Sequence, residues 1–123
     1  MVGNESERHL RYKSKLAMLC RRHGYTCFGD HDDEIAIQPD PNSPPYYLDI
    51  CAVSGPRILC IEVDGYKGHK SRRAICKDKH RTNEIKSYFK RQGVKGTVEF
   101  YRFAFWQLTD IDDATIAEEL KLC

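Results

Sequence analysis

Residues 46–65 contain three carboxylates, Asp49, Glu62 and Asp64, that could hold a metal ion. This stretch has two apolar runs rich in Val, Ile, Leu and Tyr, separated by a Ser-Gly-Pro-Arg cluster, a pattern that predicts a β-hairpin. Closing the hairpin over that turn sets Asp49 opposite Glu62 and Asp64 opposite Tyr47. Facing carboxylates repel one another, and a hard divalent cation with oxygen ligands offsets the repulsion. The three acids therefore predict a magnesium site; the alternative is that some of them lie at strand ends in water.

The intervening positions of the hairpin carry only aliphatic side chains. They are Leu48, Ile50, Ala52, Leu59, Ile61 and Val63. This face must pack against other elements, so we expect the hairpin to lie at the centre of a sheet. On the carboxylate face, Cys51 is set opposite Cys60, either as two buried thiols or as a disulfide.

A basic block follows the carboxylates. Residues 66–95 carry eleven Lys and Arg against two acids, a net charge of +9 in a chain whose overall charge is +2. Such a block beside carboxylates suits phosphodiester chemistry, because cations bind the nucleic-acid backbone while carboxylates hold a metal. We assign nucleic-acid contacts to Lys67, Lys70, Arg72, Arg73, Lys77 and Arg81. Two alternatives stay open: the block is a solvated helix face, and Arg81 either clamps a phosphate or pairs with Asp78.

The remaining elements follow from periodicity and end signals. Asn4, with Glu7 three residues on, predicts the start of a first helix that Gly24 ends. Its basic residues are expected in solvent: Arg8, Arg11, Lys13, Lys15, Arg21 and Arg22. The predicted elements are helices over 4–23, 71–91 and 110–122 and strands over 34–38 and 97–108. This order predicts one α/β domain over residues 1–123, with a mixed sheet of about four strands flanked by helices.

The acids and their flanks resemble the PD-(D/E)xK nuclease family. The similarity covers roughly residues 5–105 and is greatest to the branch that contains the very-short-patch-repair endonucleases. The motifs are Asp49 on one strand, Glu62-Val-Asp64-Gly65-x-x-x-His69, Asp78-x-x-Arg81, a helix ending near Gly93 and a strand carrying Arg102-Phe103. The resemblance implies a restriction-endonuclease-like core in the order α-β-β-β-α-β, followed here by a C-terminal helix.

The same resemblance implies a metal-dependent endonuclease acting on DNA, with Mg²⁺ as the cofactor and Mn²⁺ as a substitute. It adds two metal ligands to the acids, the main-chain carbonyl of Val63 and the side chain of Glu7. The family's lysine is replaced by Asp64, so we expect His69 or Lys70 to activate water. The alternative is a nuclease fold that has lost catalysis and only binds nucleic acid. A hydrolase of a small phosphate ester is a third interpretation, which the long basic block disfavours.

The composition of the sequence predicts the cellular compartment of the protein. The sequence has no run of eighteen apolar residues, which a membrane-spanning helix would need, and its first residues are too polar for a signal peptide. Its six cysteines show no CxxC pair, which disfavours a structural zinc site. We therefore expect a cytoplasmic protein without a membrane partner, and a homodimer is compatible with the sequence.

Overall fold

The computed structural model describes residues 7–29, 35–64 and 72–122. In this part of the chain the helices are α1 Glu7–Arg22, α2 Arg72–Arg91, α3 Phe105–Asp110 and α4 Asp113–Glu119. The strands are β1 Thr26–Phe28, β2 Ile35–Ile37, β3 Tyr46–Leu48, β4 Ile50–Ser54, β5 Arg57–Asp64 and β6 Thr97–Ala104. None of the helices in these ranges is long and apolar enough to cross a lipid bilayer.

The main sheet is mixed and has the strand order β1-β4-β5-β6, with β4 antiparallel and β6 parallel to β5. One apolar cluster lies between the sheet and α1, and a second lies on the opposite face against α2. The predicted α/β class, with a mixed four-strand sheet flanked by helices, is confirmed. The strand predicted over 34–38 instead pairs with β3 in a separate two-stranded sheet, and β1, which the sequence analysis missed, provides the fourth strand.

The register of the hairpin is as predicted along β4. Val53 pairs with Ile58, and Cys51 pairs with Cys60. Both cysteines are buried free thiols, and the hydrogen bond with Cys51, together with burial, raises the pKa of the Cys60 thiol. The predicted pairing of Tyr47 with Asp64 is wrong, because β3 leaves the main sheet to pair with β2.

The chain bends at Asp49, between β3 and β4. In a regular strand, Leu48 and Ile50 would point to the same face. Ile50 instead packs with Ile61 in the cluster under α1, whereas Leu48 packs with Ile85 of α2 on the opposite face. The predicted aliphatic face is therefore wrong at Leu48, and the bend leaves Asp49 outside both apolar faces.

The last predicted strand ends early. β6 stops at Ala104, whose main-chain N–H donates to Gln107 Oε1 at 2.8 Å, and α3 begins at the next residue. Leu108 is then buried completely in the cluster under α1. The strand predicted over 97–108 is thus wrong beyond Ala104, because alternating aromatic residues there mimic the period of a strand.

Arg57 fixes the end of the sheet remote from Asp49. Its guanidinium donates to both carboxylate oxygens of Glu99, at 2.6 and 2.8 Å, and to Tyr25 Oη at 2.7 Å. It also donates to the main-chain carbonyl oxygens of Leu120 and Lys121. The Arg57 hydrogen bonds lower the pKa of Glu99 to about 2. One arginine therefore ties β5, β6 and the C-terminal residues together.

Candidate active site

Asp49 lies at the point where β4 separates from the C-terminal end of β5. Its Oδ2 accepts the main-chain N–H of Val63 at 2.8 Å, and the side chain is only 15% exposed. The carboxylate thus accepts from the Val63 N–H in place of a main-chain carbonyl of a neighbouring strand. A partly buried carboxylate with such a bond is held in place, which positions Asp49 against the main chain of β5.

His9 reaches the same point from α1. Its Nε2 lies 2.9 Å from the carbonyl oxygen of Val63 and 3.5 Å from Asp49 Oδ2. The imidazole is 16% exposed and its ring lies 6.1 Å from the ring of Phe105. A carboxylate, a main-chain carbonyl and an imidazole nitrogen therefore converge from α1, β5 and the bend between β3 and β4. No motif in the sequence points to His9 as a site residue.

Lys13 lies one helical turn after His9 and is completely buried. The expectation that it faces solvent is wrong. Positions 9, 13, 16, 17 and 20 recur at the spacing of a single helix face, and Leu16, Ala17 and Cys20 on this face pack against the sheet. A fully buried lysine is rare. Because Lys13 and His9 both lie on this face, its N-terminal end is polar and basic, whereas the following turns are apolar.

Glu7, the predicted ligand on the first helix, is directed into solvent. Its side chain is 93% exposed and lies 4.0 Å from Arg11 Nη2. Residues two apart on a helix do not share a face, so the burial of His9 against the sheet turns Glu7 away from it. The structure therefore does not bring Glu7 to Asp49 and Val63.

Glu62 lies on the opposite face of β5. Its neighbours Ile61 and Val63 pack in the cluster under α1, and successive side chains of a strand alternate between faces. Glu62 Oε1 forms an ion pair with Arg81 Nη1, and Oε2 lies 3.4 Å from Arg102 Nη2. Within the described ranges Glu62 pairs with two arginines, whereas Asp49 contacts His9 and the main chain of Val63; that the two acids share one cation stays a prediction.

Arg81 joins α2 to the strands β3 and β5. Besides its ion pair with Glu62, its Nη2 donates to the carbonyl oxygen of Tyr47 at 2.7 Å, and its guanidinium lies 5.6 Å from the centre of the Tyr46 ring. It also lines a cavity of about 180 Å³ with Glu62 and Arg102. Arg81 is thus a cation held by a carboxylate, and the structure pairs it with Glu62; the side chain of its predicted partner Asp78 lies outside the described residues.

Several other predicted residues cannot be placed in the site. Lys67, His69 and Lys70 lie outside the described residues. Four more predicted residues lie at the end of β5 and in the first part of α2, where the structure describes the main chain but not the side chains. They are Asp64, Arg72, Arg73 and Lys77. Their roles in metal binding, water activation and nucleic-acid binding remain predictions.

The residues around Asp49 fit a divalent cation in their chemistry. A carboxylate oxygen and a main-chain carbonyl oxygen are ligands that Mg²⁺ accepts, and this ion usually keeps several waters beside one or two carboxylates. Within the described ranges, no group of three or more His, Cys, Asp and Glu side chains could hold a metal. A cation here would therefore be held by few protein ligands, with Asp49 and Val63 as the oxygen donors.

Comparisons with known proteins leave the family open. No family model matches the chain, and no curated protein matches it. Among solved structures, a similar chain is titled "Crystal Structure of Protein of Unknown Function AF1548", with a TM-score of 0.49 and 13% sequence identity. The match covers 93% of this chain and 55% of that chain, so the present chain spans about half the length of that protein.

Proposed function

We propose that this protein is a metal-dependent endonuclease that hydrolyses phosphodiester bonds of nucleic acid in the cytoplasm, with DNA as the first substrate to test. One observation carries the proposal: the Asp49 carboxylate is fixed against the main chain of Val63 where β4 and β5 separate. An acid and a main-chain carbonyl at such a fork provide the oxygen donors that a catalytic Mg²⁺ needs.

Each residue of this site has a defined task. When bound, a divalent cation polarises the scissile phosphate and lowers the pKa of a water ligand. The Asp49 carboxylate and the Val63 carbonyl oxygen would hold this cation. The bond from the Val63 N–H keeps the carboxylate in position before the substrate arrives, so little reorganisation is needed during the reaction.

The helix α2 supplies the positive charge that a polyanionic substrate requires. Its exposed cations in the described part include Lys79, Lys86, Lys90 and Arg91. Such residues bind phosphates without reading the base sequence, and their contacts release condensed counterions. The proposal therefore includes nucleic-acid binding that weakens steeply as salt increases.

A nicking assay tests the proposal. Supercoiled plasmid is incubated with the protein and Mg²⁺ or Mn²⁺, and then with EDTA. We expect cation-dependent nicking that Asp49→Asn abolishes, while nucleic-acid binding is retained. Asp110→Asn is the matched control, because it removes an exposed carboxylate at the end of α3. Nicking by Asp49→Asn at the rate of the unmodified protein would remove this site from the reaction.

A second candidate function is supported by Glu62. Arg81 and Arg102 both contact its carboxylate, so an acid expected to bind metal is already neutralised by the protein. This arrangement favours a nucleic-acid-binding module on a nuclease fold that has lost catalysis. Salt-sensitive gel shifts without nicking, under every cation tried, would select this candidate.

A further inference from the structure

The imidazole of His9 lies close to both oxygen donors of the proposed site. Its Nε2 is 2.9 Å from the Val63 carbonyl oxygen and 3.5 Å from Asp49 Oδ2. We propose that His9 is itself a ligand of the cation, through Nε2, and that the resulting site binds Mn²⁺ in preference to Mg²⁺. This inference rests on the proposed cation site but not on nuclease activity.

The spacing of the donor atoms supports this assignment. Ligands at about 2.1 Å from a six-coordinate ion are about 3.0 Å apart when they occupy neighbouring corners of an octahedron. The separation of His9 Nε2 and the Val63 oxygen is 2.9 Å, which matches that value. Its separation from Asp49 Oδ2 is 3.5 Å, so these two atoms are about 0.5 Å farther apart than neighbouring ligands of such an ion.

The position of His9 on α1 makes the nitrogen available without a large movement. The side chain is nearly buried and is carried by a helix whose next turns pack against the sheet through Leu16 and Ala17. Metal binding through Nε2 requires the neutral imidazole with its proton on Nδ1. In that form Nε2 carries no proton to donate to the Val63 oxygen, and both atoms would hold the cation as ligands.

A nitrogen ligand determines which cations the site prefers. Mg²⁺ and Mn²⁺ are both bound by carboxylate, carbonyl and water oxygens, but Mn²⁺ also begins the transition-metal series, whose affinity for a site with a nitrogen ligand rises along the row. A site formed by Asp49, Val63 and His9 has two oxygens and one nitrogen. Mn²⁺ accepts both kinds of ligand, so His9 should strengthen the binding of Mn²⁺ far more than that of Mg²⁺.

The alternative role for His9 is structural. Nε2 would then only donate a hydrogen bond to the Val63 carbonyl and so close the end of the sheet. His9→Gln separates the two roles, because the glutamine amide can donate to the same carbonyl but is a poor ligand for a transition metal. His23→Gln is the matched control, since His23 is exposed just after the end of the same helix.

Isothermal titration of the full chain with MnCl₂ and with MgCl₂ measures both affinities directly, in the absence of nucleic acid. We expect His9→Gln to weaken Mn²⁺ binding by about 10- to 100-fold, the usual cost of losing a metal-site residue, and to change Mg²⁺ binding much less. His23→Gln should bind both ions as the unmodified protein does. Thermal unfolding without metal establishes that each variant is folded.

The outcomes separate the inference from the function on which it rests. Equal loss of Mn²⁺ and Mg²⁺ affinity in His9→Gln, or no loss, would overturn the role of His9 as a ligand while leaving the Asp49 site intact. If the unmodified protein binds neither ion, the cation site fails, and both the inference and the proposed nuclease fail with it. As a second measurement, selective broadening of the His9 imidazole NMR signals by Mn²⁺, ahead of those of His23, is expected.

Discussion

Asp49 Oδ2 accepts the main-chain N–H of Val63 at 2.8 Å, so a side chain completes the hydrogen bonding at the end of β5. The bond is possible because the chain bends at Asp49 and leaves the ladder after the pair of Ile50 with Ile61. The same bend places the carboxylate beside His9. This local departure from strand geometry creates the candidate site.

Two substitutions of Asp49 should differ in stability but not in cleavage. Asp49→Asn retains an oxygen that can accept the Val63 N–H, so we expect it to fold normally and to lose nicking. Asp49→Ala leaves that N–H without an acceptor, which typically costs about 1–3 kcal/mol. Urea unfolding of both variants measures the difference. Equal stabilities for the two variants would show that the bond between Asp49 and Val63 contributes nothing.

Gly29 should be required for the position of Asp49. Its φ is +97°, and a Cβ at this residue would lie 2.3 Å from the carbonyl oxygen of Asp49. We expect Gly29→Ala to shift the Asp49 main chain, to weaken cation binding and to lower the free energy of unfolding by about 1–3 kcal/mol, as overpacking does.

Gly24→Ala is the control for this experiment. Gly24 has a similar φ of +89°, but nothing lies within 4 Å of a Cβ there, so this variant carries the backbone strain without the clash. The difference between the two variants therefore reports the contact with Asp49. If both variants lose the same stability and both bind the cation normally, the contact of Gly29 with Asp49 does not matter.

Glu62 and Arg81 should behave as a coupled pair. Each is about one-fifth exposed, at 20% and 19%, and removing either one leaves the other poorly neutralised. A double-mutant cycle with Glu62→Gln and Arg81→Gln, followed by urea unfolding, should give a coupling energy of about 0.5–3 kcal/mol. Additive effects would mean that the ion pair is not important for stability, and would leave Glu62 available to a cation.

The bond of Arg57 to Glu99 should make stability depend on pH in the acid range. The pKa of Glu99 is lowered from 4.5 to about 2 in the folded protein, so its stabilising contribution is fully present above about 4.5 and is lost as the pH falls toward 2. Urea unfolding between these values should show a smaller loss for Glu99→Gln than for the unmodified chain. A control with Glu119→Gln removes an exposed carboxylate of α4, and its pH profile should stay that of the unmodified protein.

The sequence predicted the hairpin well because alternation of side chains is a local signal. Pairing Val53 with Ile58 followed directly from the turn between them. The bend at Asp49 left no comparable signal, since Leu48 and Ile50 are both apolar and would suit the same face of a straight strand. The bend is visible only in the structure, where Ile50 packs in the cluster under α1 and Leu48 packs in the cluster against α2.

The site residues on α1 were missed for a different reason. Charged and polar residues on a helix are expected in solvent unless a partner is known, so Lys13 was placed with the exposed bases and His9 was not considered. Their spacing to Leu16 and Cys20 was available in the sequence, because all four share one helix face. The partner of Glu62, in contrast, lies on another element nineteen residues later, and no local pattern indicates which of many arginines will reach it.

Residues 9, 49 and 63 are separated along the chain, so the proposed cation site would link cation binding to folding. An unfolded chain does not hold these three groups together, so a cation that binds them stabilises the native state alone. At a concentration one hundred times its Kd, such an ion adds about 2.7 kcal/mol to the free energy of unfolding. A chelator would then remove this contribution, so the melting temperature of the domain would report cation binding without any substrate.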